Sequence, residues 1–148
     1  MSKMLPRRGY RRDQGQSQSS DGASVNRGVD AETLVFIQKY LTSYTKWELL
    51  KLFAENPGIV ETSKGFARRL GKDSRQIGEA LKSLARTGII SNGRGGDSAG
   101  YTLTADETQK AMLMRIVETV RVNNRFRLLL NYHITKASLL KYKSDRPY

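Results

Sequence analysis

The stretch that most constrains this chain is residues 62–90, where two short helical patterns follow each other with only a few residues between them. Thr62 or Ser63 suits the cap of the first, Phe66, Ala67 and Leu70 form its apolar side, and Gly71 ends it. Asp73 or Ser74 opens the second, and Asp73 with Gln76 three residues later fits a capping box. Ile77, Ala80, Leu81 and Leu84 then fall at i, i+3, i+4 and i+7. That spacing puts them on one stripe, so this helix must lie on a core along one side and face solvent along the other. Gly88 ends it, and the period changes: Ile89, Ile90, Ser91 and Asn92, then Tyr101, Thr102 and Leu103, are β-prone runs separated by the glycine-rich residues 93–100. This predicts a hairpin directly behind the second helix.

Two short helices joined by a tight glycine turn make the helix-turn-helix pattern, and a hairpin packed behind them makes a wing. Helical patterns flank this segment. Asp30 can cap a helix carrying Leu34, Ile37 and Leu41. Thr45 with Glu48 fits a further capping box, opening a helix with Trp47, Leu49, Leu50, Leu52 and Phe53 that Asn56, Pro57 and Gly58 stop. The single Trp at helical spacing reads as core. Thr104 with Glu107 starts a helix over about 105–122, bearing Ala111, Met112, Leu113, Ile116, Val117 and Val120. Asn123 and Asn124 mark a break, and 126–142 is apolar and basic together, with an ambiguous period read as helix. The expected fold class is mainly α with a small β-hairpin wing, a winged helix-turn-helix plus C-terminal helices. Its expected parts are a disordered basic arm at 1–29, a winged domain at 30–104 and a helical region at 105–148 for dimerisation, ending in a basic tail.

The charge is uneven. The chain of 148 residues carries a formal +12, with pI near 10.2. By block this is +4 over 1–29, −2 over 30–61, +5 over 62–104, −1 over 105–120 and +6 over 121–148. A surplus of this size points to a polyanion, either nucleic acid or an anionic membrane surface. The arm, with Arg7, Arg8, Tyr10, Arg11 and Arg12, has almost nothing apolar to bury. It could track a phosphate backbone or simply solubilise. Without cysteine there is no disulfide or thiolate metal site. No apolar run approaches the ~18 residues of a membrane span, and no apolar segment follows Lys3, Arg7 and Arg8 as in a signal peptide. The expectation by default is a cytoplasmic, nucleoid-associated protein.

Phe66-Ala67-Arg68-Arg69-Leu70-Gly71, Ser74-Arg75-Gln76-Ile77 and Leu81-Lys82-Ser83-Leu84-Ala85-Arg86-Thr87-Gly88-Ile89-Ile90 carry a resemblance. Together they resemble the winged-helix transcriptional regulators of bacteria and archaea, the broad MarR-like and PadR-like group, over residues about 45–104. In that group an Ala and a Leu of the first helix pack on a branched residue of the second, here Ala67, Leu70 and Ile77. A Leu-x-x-Leu-x-x-x-Gly-Ile-Ile ending leads into the wing. The resemblance implies a second helix in the major groove of double-stranded DNA, in a dimer on a palindromic site.

The stripe at 77, 80, 81 and 84 leaves an outward set, from which Ser74, Arg75, Gln76, Glu79 and Lys82 are the expected base readers. Arg75 suits guanine, Gln76 adenine and Glu79 cytosine. Thr62, Ser63, Lys64, Lys72 and Arg86 are the expected phosphate contacts. Asn92 and Arg94 belong to the wing, where an Arg can reach a minor groove. The bland alternative for all of them is a solvated helix face. The helix at 105–122 is the expected dimer element, with Leu34, Ile37 and Leu41 joining it; alternatively these helices complete the monomer core. An enzyme is not expected, because the single His, His133, has no nucleophile or metal-ligand spacing around it, and no cofactor is implied. Rival readings are a module for protein interaction or RNA, a replication or partition DNA-binding protein, and membrane-surface binding by the basic, Leu-rich tail at 125–143. RNA is disfavoured because no aromatic platform lies on the reading face.

Overall fold

The computed structural model of the protein describes residues 29–93 and 99–145. Residues 1–28 of the basic arm, Arg94 and residues 146–148 of the basic tail lie outside the described residues. From residue 31 on, the chain forms one compact unit. Its elements are α1 (Ala31–Tyr40), α2 (Tyr44–Glu55), β1 (Val60–Glu61), α3 (Ser63–Leu70), α4 (Ser74–Thr87), β2 (Ile90–Asn92), β3 (Tyr101–Leu103), α5 (Glu107–Val122) and α6 (Asn124–Asp145). It is mainly helical with one small antiparallel sheet.

The core is built around α2. Trp47, Leu49, Leu50, Phe53 and Ala54 are buried on it, and the Phe53 and Phe66 rings meet at 5.1 Å between centroids, joining α2 to α3. The expected capping box at Thr45 and Glu48 is not what opens this helix. Ser43 is the cap, and its hydroxyl accepts from the Lys46 N–H at 3.2 Å. Thr45 sits two residues after the cap, in the first turn, and is buried. On α1 the buried residues are Thr33, Phe36, Ile37 and Tyr40, while Leu34 is only half-buried.

Thr62 caps α3, accepting from the Gly65 N–H at 3.1 Å, and Gly71 closes it with a left-handed φ of 65°. Only Lys72 and Asp73 separate that residue from α4, because a left-handed residue reverses the chain without extra length. The Asp73 carboxylate accepts from the Gln76 N–H at 3.2 Å. As the spacing predicts, Ile77, Ala80, Leu81 and Leu84 are buried. Gly88 closes α4 with φ 85°, and the chain enters the hairpin.

The sheet order is β1-β3-β2, all neighbours antiparallel, with Ile90 opposite Leu103 and Asn92 opposite Tyr101. β1 was not expected. It adds to the far edge of β3, Val60 opposite Thr102 and Glu61 opposite Tyr101, and so fixes where α3 begins. Thr104, the expected cap of the next helix, instead donates its hydroxyl to the Gly88 carbonyl at 3.0 Å, closing the hairpin base on the end of α4. The cap of α5 is Asp106, in a reciprocal capping box with Gln109.

Residue 104 does not divide the core. α5 packs on α2 and α1, and α6 packs on α5 and α1. Gln109 Nε2 donates to the Tyr40 hydroxyl at 2.9 Å, and the Tyr44 hydroxyl meets Asn131 Oδ1 at 3.2 Å. Leu113, Ile116 and Val117 of α5 are buried within the chain, as are Ile37 and Leu41. These residues of the stripe expected to serve a second copy therefore belong to the monomer core, while Ala111 is exposed and Met112, Val120 and Leu34 are half-buried. Asn123 joins α5 to α6 with no loop: its N–H donates to Thr119 O at 2.8 Å, and its side-chain oxygen accepts from Phe126 N at 3.0 Å.

Candidate nucleic-acid interface

Burying the apolar stripe of α4 turns Ser74, Arg75, Gly78, Glu79 and Lys82 to its other side. The start of α3 lies beside that face, because the turn between the helices is so short. Together they enclose a groove of about 740 Å³ lined by Thr62, Ser63, Lys64, Ser74, Arg75, Gly78, Glu79 and Lys82. Expected phosphate contacts from one helix and expected base readers from the next thus share one surface, although the sequence separates them by ten residues or more.

The groove carries a local surplus of positive charge. Lys64, Arg75 and Lys82 bring three cations against the one carboxylate of Glu79. Among the described residues, Lys64, Arg75, Lys82 and Arg86 make no ion pair, and all four are exposed. Elsewhere Arg69 pairs with Glu61 at 3.3 Å, and Arg121 with Glu118 and Glu55 at 3.3 and 3.5 Å, while Lys51, Arg68 and Arg125 are exposed without an ion pair among the described residues, as the groove cations are. A cluster of unpaired positive charge raises the potential locally and attracts an anion.

The remaining expected residues are placed differently. The Gln76 side-chain amide donates to the Thr45 hydroxyl at 2.9 Å, so it braces α4 against α2 and does not line the groove. Lys72 lies 3.4 Å from Glu48 of α2 and is half-buried, which makes it a brace as well. Arg86 is in the last turn of α4, beyond the groove. Asn92 ends β2, and its side-chain oxygen is buried with no hydrogen bond among the described residues.

One groove residue was passed over in the sequence. Gly78 stands in the middle of α4, where glycine costs about 0.5–1 kcal/mol relative to alanine. The available signal was a glycine four residues from both Ser74 and Lys82, on the outward stripe of a strongly periodic helix.

His133 is buried in α6, with the Tyr132 ring edge-on at 5.1 Å. Burial, and secondarily the charge of Lys136, hold its pKa below the ordinary 6.5. This is the environment of a packing residue. Among the described residues no group of three or more His, Cys, Asp or Glu could hold a metal, and no helix is long and apolar enough to cross a membrane. Comparison of the chain with protein-family models, with characterised proteins and with solved structures gave no match.

Proposed function

We propose that this chain is a sequence-specific double-stranded DNA-binding protein, a dimeric transcriptional regulator whose α4 enters the major groove. The observation that carries this reading is the groove itself. Three unpaired cations gather where the start of one helix meets the outward face of the next. The hairpin behind α4, its base tied by Thr104 to Gly88, supports a winged helix-turn-helix arrangement.

In this reading Arg75 pairs with guanine and Glu79 accepts from cytosine, while Ser74 and Lys82 flank them. Thr62, Ser63 and Lys64 take phosphates through hydroxyls, N–H groups and charge, and Arg86 takes one further along α4. Gln76 holds the angle of α4. A dimer would use what the core leaves exposed, which on α6 includes Leu128, Leu139 and Leu140.

Selection of bound duplexes from a random pool, read at two salt concentrations, tests the reading. The expected product is a palindrome with half-sites about 34–36 Å apart or a multiple of that, bound more weakly as salt rises. A pool that yields no consensus removes the sequence-specific reading, and a single unrepeated site removes the dimer.

A further inference from the structure

Among the described residues, two glycines lie inside helices, Gly65 in α3 and Gly78 in α4. The fold accounts for the first. A Cβ at position 65 would fall on the side chain of Glu61. That carboxylate is needed where it is: it accepts from the Thr62 N–H at 3.1 Å and from Arg69 Nε at 3.3 Å.

Nothing in the fold accounts for the second. A Cβ at position 78 would meet no atom within 4 Å. The residue is not among the glycines with positive φ. It belongs to no turn or cap, and helix propensity argues against it. Its one distinction is its place, at the middle of the outward stripe formed by Ser74, Gly78 and Lys82, with Arg75 and Glu79 beside it in the groove.

We propose that Gly78 is the point of closest approach to the bound duplex, where base edges come against the backbone of α4 at a distance a methyl group would block. This rests on the DNA-binding reading and adds a contact to it. A helix with its side chains is about 10–12 Å across, and the major groove is about 12 Å wide, so the clearance is of the order of one methyl. Removing the side chain at the centre of the inserted face lets the axis sink deeper. Shorter reach is then required of Arg75, Glu79 and Lys82. Glycine at this position trades fold stability for depth of insertion.

The test uses the full chain as wild type, Gly78→Ala and Gly58→Ala. Position 58 also has open space around a Cβ but lies in the loop after α2, outside the groove. Thermal unfolding and affinity for the selected duplex are measured for each. Gly78→Ala is expected to raise Tm by a few degrees and to weaken binding about tenfold or more, with Gly58→Ala binding as wild type. A tenfold loss of binding with a Tm that rises or holds supports the proposal. Unchanged binding by Gly78→Ala overturns it, as does a fall in its Tm or an equal loss in Gly58→Ala. Failure of the wild type to bind any duplex is a separate result, which overturns the underlying reading before any variant is compared.

Discussion

The side-chain amide of Gln76 donates a 2.9 Å hydrogen bond to the hydroxyl of Thr45, joining the first turn of α4 to the first turn of α2. Thr45 is buried, so without Gln76 its hydroxyl loses that hydrogen bond. Losing a bond of this kind costs about 1 kcal/mol, and somewhat more when the stranded group stays buried. Gln76→Ala should therefore lower the urea midpoint by a corresponding amount. It should weaken binding to all duplexes without altering the preferred base at any position. A loss of adenine preference at one position, with stability unchanged, would return Gln76 to the reading set.

Arg75 and Lys64 face the same groove and should fail in different ways. Arg75→Ala should cost about 1–3 kcal/mol on the selected duplex and relax base choice at one position. Lys64→Ala should weaken every duplex alike and reduce the slope of log affinity against log salt by about one. Competition binding over a panel of single-base changes at several salt concentrations separates the two. Equal losses on every duplex for both variants would remove the division of labour.

Leu113 is fully buried in α5, so its truncation is a core lesion. Leu113→Ala should destabilise the fold by about 2–5 kcal/mol in chemical denaturation. It should leave the mass seen by light scattering unchanged under conditions where the variant is still folded. A folded variant of normal stability and halved mass would show that α5 forms an interface between copies after all.

His133 gives a pH dependence with a definite sign. Burial, then Lys136, lowers its pKa in the folded chain below 6.5. The unfolded chain therefore takes up the proton first as pH falls. The contribution to stability is complete above about 6.5 and is lost as pH drops through the lowered folded value. The urea midpoint should fall between about pH 7.5 and pH 5.5, and His133→Leu should flatten that slope. A slope unaffected by the substitution would assign the dependence to other groups.

Local patterns were legible in the sequence wherever a segment's own residues decide its structure. The stripe Ile77, Ala80, Leu81, Leu84 fixed both the buried and the outward face of α4. The caps show where that logic ends. Ser43 and Thr45 both offer a hydroxyl near the start of α2, and a local rule does not see that Thr45 answers to Gln76, thirty-one residues away. β1 left no trace because two residues, one exposed and one half-buried, make no alternation; it exists by pairing with β3. The period of α6 was ambiguous because it carries leucines on both sides, with Leu129 and Leu130 buried and Leu128, Leu139 and Leu140 exposed. For the groove, the residue types were readable on each helix separately. Their convergence came from the short turn at Gly71.

Asn123 leaves the C-terminal half without slack. One residue ends α5 and begins α6, so the joint counts residues instead of absorbing them. Adding or removing a single amino acid there would rotate all of α6 by about 100° about its axis. Phe126, Leu130 and Ile134 would swing off the core and the exposed leucines would be driven toward it. Length variation should thus be rejected at this joint.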